Sequence, residues 1–108
     1  MESLVLNDVV EFNAEKRVRK ALIKAPHVIC ELVCYEPGQG VVTHQHPRQD
    51  EIFYVVEGKG EMWIEEERIA VGPGSLVLAP SQKRHGLTAG ADSRMVVLFF
   101  KGPGTSLS

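Results

Sequence analysis

The stretch His44-Gln45-His46-Pro47-Arg48-Gln49-Asp50-Glu51 decides how this chain is read. His44 and His46 are two residues apart, so on an extended strand both rings leave the same face. Glu51 follows five residues later, an odd step that places it on the wrong face of an uninterrupted strand. Pro47 and the polar run Arg48-Gln49-Asp50 supply the break that can reset this parity. His85 answers the cluster well downstream. Three imidazoles and one carboxylate can then converge on one divalent transition metal.

Working outward, 108 residues suit a single domain, 1–108, able to close a hydrophobic core without disulfides. Hydrophobic residues at 44% and charged residues at 24% are ordinary for a soluble globular protein. A formal charge of −2 gives no electrostatic reason to expect a nucleic-acid partner. No apolar run reaches the length of a membrane span, and Met1-Glu2-Ser3 does not begin a signal peptide. No membrane association is expected, and the expected location is cytoplasmic. Cys30 and Cys34 are separated by about 13 Å at strand rise, beyond the reach of a disulfide. Two buried, reduced thiols are the expectation.

From residue 28 onward, short apolar or alternating runs are cut by glycine and proline. Candidate strands are 28–35, 41–46, 51–57, 60–65, 68–71, 75–79, 85–88 and 94–101. So many short strands argue for an antiparallel sandwich or barrel rather than βαβ units. Residues 1–27 read as an N-terminal arm or edge strands, with 13–20 either a short helical turn or extended. Taking Gly58-Lys59 as a two-residue turn pairs Glu57 with Gly60, Val55 with Met62 and Phe53 with Ile64. Those four apolar residues share a face with Glu51 and line an apolar interior with Leu87. The opposite face then carries Ile52, Tyr54 and Val56 beside Glu65, Trp63 and Glu61, too apolar to meet water. A second subunit in a homodimer is expected to cover it, with the N-terminal arm as the alternative.

The spacing extends further than the ligands. Gly38, five residues, His44-x-His46, four residues, Glu51, six residues, Gly58 resembles the first signature motif of the cupin superfamily. Gly74, five residues, Pro80, then His85 resembles the second. Gln82 and Ala89 depart from the glycine and asparagine that the second motif often carries, and neither is a ligand position. The resemblance implies an all-β fold, a small jelly roll or double-stranded β-helix. It implies metal ligation by His44, His46, Glu51 and His85 near one mouth of the barrel.

Such a donor set suits iron, manganese, nickel, cobalt, copper or zinc without choosing among them. Four protein ligands leave two positions on a six-coordinate ion, so open-site chemistry is expected. The expected function is a metalloenzyme acting on a small oxygenated substrate, a dioxygenase or an isomerase or lyase. The alternative is a non-catalytic module that binds a small molecule or metal, and a purely structural metal ranks last. In some cupin dioxygenases the residue equivalent to Glu51 also accepts a proton, which makes Glu51 a candidate catalytic residue. Tyr35, Gln39, Arg48 and Gln49 are candidates for the mouth. Asp50 is expected to face solvent, His27 to lie outside the site, and Trp63 to serve packing. The basic run Lys16-Arg17-Val18-Arg19-Lys20, offset by Glu11 and Glu15, reads as a solvated face.

Overall fold

The alternating runs assemble into two facing sheets. The computed structural model describes residues 2–45 and 47–103, the side chains of 42–44 excepted. The described residues form nine strands: β1 (Val18–Lys24), β2 (Ile29–Tyr35), β3 (Gly40–His44), β4 (Asp50–Glu57), β5 (Gly60–Ile64), β6 (Glu67–Val71), β7 (Leu76–Ala79), β8 (His85–Ala89) and β9 (Met95–Gly102). Their order is β1-β2-β9-β4-β7 in one sheet and β3-β8-β5-β6 in the other, with every pairing antiparallel. This is the expected all-β jelly roll. Among the described residues no helix is long and apolar enough to cross a membrane.

Alternation dictates the core. On β4, Glu51, Phe53 and Val55 turn inward while Ile52 turns out. On β9, Met95, Val97 and Phe99 join the same inner cluster, which also takes in Met62, Leu87 and Val33. Full burial of each such side chain contributes roughly 1.5–3 kcal/mol.

The expected hairpin between residues 51–57 and 60–65 does not form. β4 pairs with β7 and β9, whereas β5 pairs with β6 and β8, so Gly58-Lys59 carries the chain from one sheet to the other. A turn signal shows that the chain reverses; which strand it then bonds is settled by distant partners. Gly58 itself is required, because its φ is +86° and a Cβ there would collide with the Arg94 carbonyl. Phe53, Val55, Met62 and Leu87 still share one interior, facing each other across the sandwich.

The N-terminal region resolves into an edge strand, β1 on β2, preceded by a short 3-10 turn at Leu6–Asp8. Leu6, Val9, Val10 and Phe12 pack on Leu32, Cys34 and Val96, which buries the outer face of β2 as well as its inner face. That double burial explains the near-continuous apolar reading of Ile29–Tyr35. Val56 packs on the same cluster, but Ile52, Leu76 and Leu78 stay 45%, 69% and 56% exposed on the outer side of β4 and β7. This strip is what a second copy of the chain would have to cover in the expected homodimer. Trp63 belongs to the opposite sheet and lies across Gly86.

Candidate functional site

Charged residues in the inward phase of these strands define the site. Glu51 on β4 and His85 on β8 come from facing sheets, and Glu51 Oε1 lies 3.3 Å from His85 Nε2 with both side chains 2% exposed. His85 Nδ1 is 3.3 Å from the Lys83 carbonyl. A carbonyl only accepts, so that contact is a hydrogen bond in the forms of His85 that carry a proton on Nδ1. A carboxylate and an imidazole side by side are donors of a kind that a divalent transition metal accepts. Phe53 meets the His85 ring edge-on, with centroids 5.5 Å apart, and Phe99 meets Phe53 the same way at 4.4 Å. This packing fixes the orientation of the imidazole.

The pair opens into a cavity of about 210 Å³. Val33, Val41, Phe53, Leu87 and Phe99 form its apolar wall. Tyr35 lines it too, fully buried, and its hydroxyl has no hydrogen-bond partner among the described residues. Burial raises the Tyr35 hydroxyl well above the ordinary phenol range, against the opposing pull of Arg17 and Arg19. It therefore stays protonated at neutral pH.

Arg17, Arg19 and Lys101 complete the lining. Behind them Glu31 is 8% exposed and accepts from Arg19 Nη2 at 2.9 and 3.1 Å and from Lys101 Nζ at 2.7 Å. Burial alone would raise the Glu31 carboxyl, but the Lys101 and Arg19 hydrogen bonds outweigh it and hold it below the usual range. Arg17 makes no ion pair among the described residues.

The structure thus brings Glu51 and His85 together as the spacing predicts. It places the His44 backbone directly opposite His85, as cross-strand partners of β3 and β8. The His44 side chain and all of His46 lie outside the described residues. Of the mouth candidates, only Tyr35 lines the cavity. Gln39 braces a loop, accepting from Glu36 N–H at 2.8 Å and donating to the Asn13 carbonyl at 2.9 Å. Gln49 donates to the Pro103 carbonyl at 2.9 Å, and Arg48 is exposed. Asp50 is exposed as expected, and its carboxylate accepts from Ser81 N–H at 2.8 Å. His27 is exposed. Cys30 and Cys34 are free thiols, both raised by burial and so protonated at neutral pH.

The basic run is solvated at Lys16 and Arg19, and Lys20 meets Glu11 at 2.9 Å. Arg17, half-buried just before β1, lines the cavity, and so does the exposed Arg19 two residues on. Lys101 and Glu31 carried a signal of their own: each continues the inward phase of an apolar alternation, Val97-x-Phe99-x-Lys101 and Glu31-x-Val33-x-Tyr35.

Comparison with known proteins agrees with this architecture. Protein TT1209 from Thermus thermophilus superposes with a TM-score of 0.89 at 26% identity, over 95% of this chain and 98% of that one. KdgF from a Halomonas species superposes with a TM-score of 0.81 at 29% identity, over 94% of each chain. Among curated proteins, uncharacterized protein MJ1618 from Methanocaldococcus jannaschii is 25% identical over 81 residues. That match covers 75% of this chain and only 58% of the relative. The family model for the cupin domain matches residues 31–101, which takes in the Glu51–His85 pair and most of the cavity wall, so the chain belongs to the cupin family.

Proposed function

We propose that this cupin is a metal-dependent enzyme acting on a small oxygenated substrate, with His44, His46, Glu51 and His85 holding one divalent transition metal. The observation that carries this reading is the buried Glu51–His85 pair, 3.3 Å apart at the head of a 210 Å³ cavity. A carboxylate and an imidazole are donors of the right chemistry, and the Nδ1 contact to the Lys83 carbonyl is the support such ligands use. The register partnership of the His44 backbone with His85 across β3 and β8 supports including His44 in the set.

The bound metal would supply Lewis acidity toward an oxygen of the substrate, or oxygen activation if it is redox-active. The chain's own residues do the rest. Phe53, Phe99, Val33 and Leu87 exclude water and hold the apolar part of the substrate. The Tyr35 hydroxyl donates to a substrate oxygen, and Glu51 is the group placed to take a proton.

Metal analysis of the purified protein, followed by substrate screening with and without oxygen, tests the proposal. A stoichiometric metal that His85→Ala loses, with turnover lost alongside, supports it. Oxygen uptake assigns a dioxygenase, and oxygen-independent turnover assigns an isomerase or lyase. Metal without turnover of any substrate favours a binding module, and a protein that holds no metal overturns the reading.

A further inference from the structure

The cavity carries more cations than carboxylates. Arg17, Arg19 and Lys101 line it together with Glu51 and His85, and Lys101 stands opposite Glu51 across β9 and β4. A further carboxylate, Glu31, is shared between Arg19 and Lys101. Three cations against the two carboxylates Glu31 and Glu51 leave one positive charge in excess. Arg17 is half-buried and pairs with no carboxylate among the described residues. Beside these cations the Tyr35 hydroxyl is fully buried and without a hydrogen-bond partner among the described residues. A buried donor of that kind costs stability unless something accepts from it.

We propose that Arg17, Arg19, Lys101 and Tyr35 form a carboxylate-binding subsite in this cavity, and that the substrate is a small carboxylic acid whose second oxygen faces the Glu51–His85 pair. A guanidinium and a phenol donating together match the planar, acceptor-only carboxylate. The apolar wall of Val33, Val41, Phe53, Leu87 and Phe99 suits a short hydrocarbon chain and not a densely hydroxylated sugar. The assignment deepens the proposed function by naming the substrate class of that site, but the anion subsite involves no metal ligand and is testable apart from it.

The test is calorimetric titration of the full chain at low ionic strength with three probes of matched length: 2-oxopentanoate, its neutral amide and n-propyl phosphate. The acid is expected to bind about tenfold or more tighter than the amide, as a charged partner should in a partly buried site. Arg17→Gln is the cleanest variant, because it leaves no carboxylate stripped of its partner. It should weaken the acid about tenfold while leaving the amide and the melting temperature unchanged, and Arg17→Lys should recover part of the loss. Equal affinity for acid and amide, equal weakening of both by Arg17→Gln, or no binding of the acid at millimolar concentration overturns the proposal. Tighter binding of the phosphate keeps an anion site and overturns the carboxylate assignment. Metal content, measured on the same samples, separates the two readings: a wild type that prefers the acid yet holds no metal sinks the enzyme proposal and leaves this one standing.

Discussion

Lys101 Nζ lies 2.7 Å from Glu31 Oε1, and the two side chains are only 8% and 11% exposed. The pair joins β2 to β9 on the inner face, where Arg19 from β1 adds a second cation to the same carboxylate. A buried pair of this kind is weak evidence for net stability, yet removing one member is costly because the other is left charged in a poor solvent. Glu31→Ala is therefore expected to cost about 3 kcal/mol or more, since it strands Lys101. Lys101→Met should cost less, because Arg19 still satisfies Glu31. Urea denaturation of both variants ranks them, and equal losses would refute this account.

The same carboxylate sets a pH dependence. Unfolded glutamates titrate near 4.3, and the folded Glu31 carboxyl lies below its ordinary value. A depressed folded value means that the stabilisation is complete above the ordinary glutamate range and decays as pH falls through the lower folded value. Melting temperature measured from pH 7 downward should fall in the acid region, and Glu31→Gln should flatten that fall.

Glu51→Gln and His85→Ala are expected to lower metal affinity by more than the roughly 10–100-fold typical of losing only a ligand's supporting hydrogen bond. The apolar cluster around them does not depend on either side chain, so both variants should keep the wild-type far-UV circular dichroism. Metal content and circular dichroism on the same preparation check this. Unfolding of the wild type on chelation would instead mark the metal as structural.

Tyr35→Phe keeps the buried ring and removes a hydroxyl that has no hydrogen-bond partner among the described residues. The melting temperature should hold or rise, because a desolvated polar group is lost with its cost. Affinity for 2-oxopentanoate should fall about threefold to tenfold, the worth of one hydrogen bond. A large drop in melting temperature with unchanged affinity would show that the hydroxyl serves the fold.

Gly86 sits under the indole of Trp63, with no room for a Cβ, and the Arg68 guanidinium lies 5.5 Å from that ring. Gly86→Ala should displace the indole and cost about 1–3 kcal/mol. Trp63 is the single tryptophan, so its fluorescence reports the displacement directly. In a Trp63→Ala background the same glycine substitution should cost little.

Much of the fold was legible in the residues. Period-two alternation cut by glycine and proline located the strands from β2 to β9, because side-chain parity and turn chemistry are local properties. The spacing of His44, His46, Glu51 and His85 pointed to one centre, and two of those residues do meet inside the barrel. Strand partnership was beyond that reading. Glu57-Gly58-Lys59-Gly60 has the residues of a hairpin turn, yet it crosses between sheets, since hydrogen-bonding partners are chosen by contacts far apart in sequence. The cationic wall was hidden for the same reason. Arg17 and Arg19 look like part of a solvated basic run until β1, β2 and β9 come side by side and set them in one cavity with Lys101. By itself the sequence determined that the chain forms a β-barrel with a carboxylate and an imidazole at its centre. Only the tertiary structure decided what that centre faces, because a cavity's charge is the sum of side chains that no local pattern brings together.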